Sequence, residues 1–486
     1  MKHTRRQVLK QGSFAALGAG FLSRVDRVAA MQARPTPAPL VHMLQSQATG
    51  ASEMLLLKGT PGEEGPPQPT TADRLPLEWN KRTVQRFKDA IAQRGAQAFL
   101  IRNPLNIMYL TGYWHTVTER PQAAFMNKDQ ADPWFFYPSL DRGSVTSWWF
   151  GGGLKYFDVQ DVEGVFPEDG VAKIGPTTDL FKLMLGGIKK QGIQGTKIAL
   201  DGELYPSESA KAKDVLPGVE FVNANDILMG MRMVKTPEEL ALWRRAYTYF
   251  DRAHAFARDY ILTHGTSVTD YEVAAASTLW INDILYRDIK LENGALHHGV
   301  HTSISVTARV GPLTAYPHPN QPQFCGIGRN KAMQVEGVCR IGGYGGENYR
   351  MFVIADEAGK YDPHMQKLWE VSQHCCDMQV ELSKAGSECC DVALPIHQYQ
   401  VAHGVQKYIY HRPGHGEGSE GHQPPYIALG DHTVLKPGMC FSEEPGLFDP
   451  DTGCGFNWSD TVVVAQKSGY RMSRVPYSKE WCFIRI

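Results

Sequence analysis

Three histidines and three glutamates in the C-terminal half of the chain carry side chains able to move protons or hold a cation. The histidines sit in short, conformationally marked contexts: Pro317-His318-Pro319, Gly414-His415-Gly416, and His422 seven residues on. Glycines on both sides of His415 permit close backbone approach around it. The carboxylates are Glu336, Glu347 and, within Glu444-Pro445-Gly446, Glu444. Histidine is the side chain that gains or loses a proton near neutral pH, and a neighbouring carboxylate can orient it or hold a polar substrate. A second histidine group, His297, His298 and His301, looks metal-like in isolation, yet its offsets of one and three residues suit a loop or the start of a strand equally well. Its functional reading is substrate contact. The nine cysteines form no CxxC or C-x-x-H pairing, so no zinc knuckle is expected, and adjacent pairs such as Cys375-Cys376 rarely bond to each other. Most read as small buried hydrophobes.

Elements that position these groups can be read from periodicity. The 486 residues suggest two or three domains. Trp79 to Arg94 shows helical amphipathicity through Val84, Phe87, Ile91 and Ala92, and Ala98-Phe99-Leu100-Ile101 reads as a short buried strand. Another strand is expected at Lys197-Ile198-Ala199-Leu200-Asp201. Strands alternating with helices imply a mostly parallel or mixed sheet covered by helices, an α/β class. Thr236-Pro237-Glu238-Glu239 is a helix start, because Thr236 can cap, Pro237 loses nothing in the first turn and Glu239 completes a capping box. Trp134-Phe135-Phe136-Tyr137 and Trp148-Trp149 read as strand core. The domain reading is residues 1–30 as a signal, 31–77 as a flexible Pro/Gly/Ser/Thr-rich linker or arm, 78–230 as a first α/β domain and 231–486 as a catalytic domain.

Formal charge excludes one class of partner. Lys plus Arg is 50 and Asp plus Glu is 51, giving 50 − 51 = −1, too little basic field to neutralise nucleic-acid phosphates. Beyond residue 30 no apolar run approaches the ~20 residues of a membrane span. At the N-terminus, Thr4-Arg5-Arg6-Gln7-Val8-Leu9-Lys10, a Gly/Ala-rich apolar stretch from Phe14 to Leu22, and Val28-Ala29-Ala30 resemble a twin-arginine export signal with its cleavage site. That resemblance implies a periplasmic or secreted protein.

Taken in order, several segments resemble the creatinase, prolidase and methionine aminopeptidase superfamily, whose catalytic domain has the pita-bread fold. The resemblance rests on Asn106-Ile107-Met108-Tyr109-Leu110-Thr111-Gly112, similar to a strand and turn of the family's N-terminal domain, and on Arg232-Met233-Val234-Lys235-Thr236-Pro237-Glu238-Glu239 at the domain junction. Further matches are Pro317-His318-Pro319, Gly343-Tyr344-Gly345-Gly346-Glu347-Asn348-Tyr349-Arg350, Gly414-His415-Gly416 with His422, and Lys436-Pro437-Gly438-Met439 with Glu444-Pro445-Gly446. It implies a creatinase-like N-terminal domain, a pita-bread catalytic domain and a homodimer in which aromatic residues of a neighbouring subunit line the pocket.

The family's peptidases bind two divalent metals through two Asp residues eleven apart, the His of G-H-G, the Glu of E-P and a last Glu before a D-T strand. Here the first two positions hold Glu336 and Glu347, with the spacing kept (347 − 336 = 11), and the last holds Ser459 before Asp460-Thr461. A serine hydroxyl is a poor ligand for a dication, so a dinuclear site is not expected. The favoured reading is a site with no metal; otherwise Glu347, His415 and Glu444 would ligate at most one ion, such as Fe, Mn or Zn. Without metal, His318, His415 and His422 would exchange protons while Glu444 and Glu347 hold the substrate, as a histidine and glutamates do in creatinase. Glu336, Arg350 and Tyr344 are then expected at the substrate, Glu336 otherwise pairing with Arg350 or Arg340. The primary expectation is a creatinase-like hydrolase or lyase cleaving a C–N or C–X bond of a small molecule, the superfamily including a lyase of a sulfonium compound. Alternatives are an Xaa-Pro aminopeptidase or dipeptidase with an altered mononuclear site, and a catalytically silent binding protein.

Overall fold

A computed structural model describes residues 50–57, 65–156, 179–193, 195–289, 301–318 and 324–486. The signal expected at 1–30, and His297, His298 and Pro319, lie outside the described residues.

The first domain opens with the helix Leu77–Ala92, whose Trp79, Val84, Phe87 and Ile91 are buried. Its sheet comprises β1 (Ala96–Ile101), β2 (Ala123–Asn127), β3 (Trp134–Pro138), β4 (Gly153–Tyr156), β5 (Lys197–Leu200) and β6 (Glu220–Asn223). Strand order is β4-β3-β2-β1-β5-β6, with β1, β5 and β6 parallel and β2 antiparallel to both β1 and β3. The mixed α/β sheet follows the expectation. Asn106 to Thr111, in contrast, is not a strand. It lies in the helix Pro104–Thr111, because Asn103 caps its N-terminus by accepting from Leu105 N–H, Pro104 suits the first turn and Gly112 ends it in the left-handed region at φ 73°. Trp148 and Trp149 likewise lie outside any strand. Both indole N–H groups donate to the Thr111 carbonyl, at 2.9 and 3.0 Å.

The helix Pro237–His264 opens the second domain with the expected capping box: Thr236 Oγ1 accepts from Glu239 N–H and Glu239 Oε2 accepts from Thr236 N–H. It and the helix Asp270–Asp288 cover one face of the sheet formed by β7 (Ser303–Val310), β8 (Ala332–Ile341) and β9 (Tyr344–Ile354). Approach is close: a Cβ at Gly337 would stand 2.6 Å from the Phe250 ring. The opposite face holds the site. After the helices Pro363–Leu382 and Cys389–Ala402 the chain forms β10 (Gly414–Gly416), β11 (Gln423–Ile427), β12 (Cys440–Ser442), β13 (Leu447–Asp449), β14 (Cys454–Phe456), β15 (Thr461–Val463) and β16 (Tyr470–Arg471). These make a five-stranded sheet, β11-β10-β12-β15-β16, and the β13-β14 hairpin, while β17 (Phe483–Ile484) joins β9. Two helices against the antiparallel strands β7, β8 and β9 are the pita-bread arrangement.

The segment expected as a flexible arm is docked at several of its described residues. Ser52 is fully buried, its N–H donating to the Asp259 carboxylate and its Oγ accepting from Arg258. Thr70 N–H donates to Ala241 O, Asp73 pairs with Arg245, and the Arg74 guanidinium lies 4.2 Å from the Trp149 ring. Pro/Gly/Ser/Thr composition signals the lack of a repeating backbone pattern, and these contacts come from single residues without one. All nine cysteines are free thiols and seven are buried, in keeping with a reading as small hydrophobes. No helix among the described residues is long and apolar enough to cross a membrane.

Candidate metal and peptidase site

Strand parity decides which residues reach the site. On β9, Glu347 and Tyr349 lie two apart and share a face; across the ladder Glu347 is opposite Val338 and Tyr349 opposite Glu336. Glu336 and Thr307 are opposite each other on β8 and β7. His415 enters from β10, between two glycines that no other residue could replace without displacing backbone. A Cβ at Gly414 would stand 2.2 Å from Ser442 O, and one at Gly416 2.6 Å from Gln423 O. Glu444 follows β12 and is held by its N–H to Pro413 O (2.8 Å). Ser442 Oγ accepts from His415 N–H (3.0 Å) and donates to Glu444 Oε1 (3.1 Å), which ties the orientation of Glu444 to the backbone of His415.

These elements bring Glu347, His415 and Glu444 together with one donor atom each inside 4.8 Å. His415 Nε2 is 2.9 Å from Glu444 Oε1 and 3.7 Å from Glu347 Oε1. His415 Nδ1 lies 3.1 Å from the Gly416 carbonyl, which can only accept, so Nδ1 carries a proton and Nε2 is the ring nitrogen that faces the carboxylates. Nε2 is buried. Burial opposes charge on His415, but the two glutamates outweigh it and raise its pKa. Burial would raise the Glu444 carboxyl; His415, the field of His411 and the Ser442 hydroxyl hold it below its ordinary value.

His415 and Glu444 of this cluster line a cavity of about 620 Å³, walled also by Glu336, Tyr349, His318 and His422 and by Arg309, His411, Arg412, Tyr410 and Asn457. His422 stacks on His415, ring centroids 3.7 Å apart and planes 17° from parallel. His318 is exposed at the mouth. Glu336 does not pair with Arg350 or Arg340; Arg309 holds it, Nη2 to Oε2 3.1 Å, and burial raises its pKa.

Arg350 and Tyr344 are not substrate contacts. Each is an odd number of residues from Glu347, so the strand points them away. Arg350 is fully buried: it pairs with Asp460 (3.0 Å), donates to Ser473 Oγ and Val475 O, and lies 4.0 Å from the Tyr477 ring centroid. Tyr344 is buried beside Glu239, whose carboxyl burial pushes up to about 7. His301, described without its two partners, stacks on Trp114 at 4.0 Å.

Sequence reading assigned no role to Tyr349, Arg309, His411, Arg412 or Asn457. Tyr349 was open to discovery, since it shares the parity of Glu347; Arg412, three residues before His415, had no such signal. Glu417 was missed too. It is buried, accepts from Thr461 Oγ1 (2.7 Å), and burial followed by the charge of Glu347 raises its carboxyl.

The donor set does not fit a second cation. Ser459 Oγ donates to Glu347 Oε1 (3.3 Å), Tyr349 OH donates to Glu347 Oε2 (2.6 Å), and Glu336 is committed to Arg309. One cation fits, because one imidazole and two carboxylates present converging lone pairs with room for further ligands.

The Creatinase/Prolidase N-terminal domain matches residues 83–234 and Metallopeptidase family M24 matches residues 241–466. The chain belongs to the creatinase/prolidase superfamily. An Xaa-Pro dipeptidase of Lactobacillus helveticus is 26% identical over 374 residues, 76% of this chain and 90% of that protein. Among solved structures, the dipeptidase PepE of Mycobacterium ulcerans (TM-score 0.67, 21% identity, 85% of this chain and 100% of that one) shares the creatinase/prolidase fold. So does a prolidase of Thermococcus sibiricus (TM-score 0.66, 20% identity, 83% and 99%). These relatives overturn the expected creatinase-like hydrolase or lyase: proteins that align with this chain along most of their length are dipeptidases, and the matching catalytic family is one of metallopeptidases. The enzyme reading within the superfamily stands.

Proposed function

We propose that this chain is a metal-assisted Xaa-Pro dipeptidase whose site holds a single divalent cation. The convergence of Glu347, His415 and Glu444, the last two lining the cavity, carries the reading. The dipeptidase relatives support the substrate class, and a cavity of about 620 Å³ suits a small peptide.

A divalent ion bound there would polarise the scissile carbonyl and lower the pKa of a water molecule. The remaining work falls to the chain's own groups. Exposed Arg412 and the partly committed Arg309 place positive charge at the wall, where a dipeptide's carboxylate would be held. Tyr349 stays protonated, since burial and the surrounding glutamates raise its pKa, and its hydroxyl fixes the orientation of Glu347. His318 and His422, both at the cavity, supply the proton that the departing proline nitrogen takes up.

The test is hydrolysis of Ala-Pro and Gly-Pro by metal-stripped protein after addition of Mn²⁺, Co²⁺ or Zn²⁺. We expect turnover that saturates at one equivalent of metal and is lost in Glu444→Gln without loss of fold. No hydrolysis with any of the ions, or full turnover in the variant, would reject the reading.

A further inference from the structure

Outside the cavity, three donors of different chemistry meet on the surface. Cys390 Sγ is 3.4 Å from Glu388 Oε2 and 3.5 Å from His432 Nδ1, and His432 Nδ1 is 2.8 Å from Glu388 Oε2. The two chain segments that carry them are joined by backbone. Cys389 N–H donates to Thr433 O (3.1 Å), Cys390 N–H to Asp431 O (2.9 Å) and Leu435 N–H to Ser387 O (2.8 Å), so the donors are held in place by hydrogen bonds that do not involve their side chains.

Metal–sulfur bonds of ~2.3 Å and metal–nitrogen or –oxygen bonds of ~2.0 Å at tetrahedral angles require edges of about 3.5 Å to sulfur and about 3.3 Å between nitrogen and oxygen. The observed triangle matches both sulfur edges and needs its third edge to open by roughly half an ångström. A thiolate with an imidazole and one carboxylate favours a borderline cation over hard Mg²⁺ or Ca²⁺.

We propose that Glu388, Cys390 and His432 form a second site, for a borderline divalent cation of the zinc class. Binding replaces the Cys390 thiol proton by a bond to the metal and releases that proton to solvent, while neutral His432 offers its Nδ1 lone pair and keeps its one ring proton on Nε2. The ion staples the first turn of the Cys389–Ala402 helix to the loop that follows β11. That helix and loop contribute His397 and Leu429 to a cavity of about 320 Å³, which shares His411 and Arg412 with the catalytic one.

The experiment uses the full chain, stripped of metal and titrated with Co²⁺. The catalytic ligands contain no sulfur, so a thiolate-to-cobalt charge-transfer band reports the second site separately from the first. The band is expected in the wild type and in Glu444→Gln, and is expected to vanish in Cys390→Ser and His432→Ala, with circular dichroism unchanged. Absence of the band from wild type at saturating cobalt overturns the proposal, as does its persistence in Cys390→Ser. Failure of peptide hydrolysis with the band present would count against the dipeptidase reading alone.

Discussion

The phenol of Tyr349 donates to Oε2 of Glu347 at 2.6 Å, across one face of β9. A tyrosine proton thus occupies a carboxylate oxygen that a second cation would need. The bond holds a charged partner in one rotamer, and bonds of that kind contribute about 1.5–3 kcal/mol. Tyr349→Phe is expected to lower kcat about ten- to a hundredfold with one equivalent of metal still bound. Stopped-assay kinetics beside metal analysis checks it; an unchanged kcat would remove Tyr349 from the site's function.

Ser459 stands against Glu347 Oε1 at 3.3 Å and is fully buried. Ser459→Glu places a second carboxylate there. In metal-free protein the like charges repel, so the melting temperature should fall. Mn²⁺ should then raise it by more than in wild type, because a ligand that binds only the folded state stabilises it. Metal analysis should move above one equivalent. Identical metal responses of the two proteins would show that a hydroxyl at this position is not what limits the site to one ion.

The Arg350–Asp460 pair has both side chains fully buried. Arg350→Ala would leave Asp460 charged and without that partner, at a cost of about 3–5 kcal/mol. Denaturant unfolding should show this loss. If stability is preserved while KM for a dipeptide rises, Arg350 touches substrate after all.

His254 is buried, and its desolvation lowers its pKa from 6.5 to about 3. Its folded pKa is below its unfolded one, so the unfolded state binds the proton first. Stability is therefore full above pH 6.5 and falls as pH drops from 6.5 toward 3, by up to about 1.4 kcal/mol per unit from this group. His115 and His301, each lowered to about 4 mainly by burial, act in the same direction. His254→Gln should flatten the acid limb of the stability curve; an unchanged limb would assign acid sensitivity elsewhere.

Export by the twin-arginine route is the proposal attached to residues 4–30. Changing Arg5 and Arg6 together to Lys should hold the protein in the cytoplasm on cell fractionation. Equal export of the two forms would remove the signal reading.

Local chemistry made much of the fold legible. Thr236, Pro237 and Glu239 announced the long helix because a capping box acts between residues three apart. Ala98 to Ile101 announced a strand because a short apolar run buried on both faces suits a sheet centre. Asn106 to Thr111 was misread because Asn103 and Pro104, which start a helix, lie just outside the matched segment. The histidines and glutamates of the site were named, yet Arg350 and Tyr344 were grouped with Glu347 by proximity in sequence, which strand parity reverses.

By itself, the sequence determined the family, the capped helices and the serine at position 459 where the family's peptidases carry a glutamate, since each depends on residue identity over a few positions. Which charges face one another was decided only by tertiary structure. Arg309 found Glu336, Tyr349 took an oxygen of Glu347, and Glu388 and Cys390 met His432, because sheet register and loop closure set distances between groups far apart along the chain.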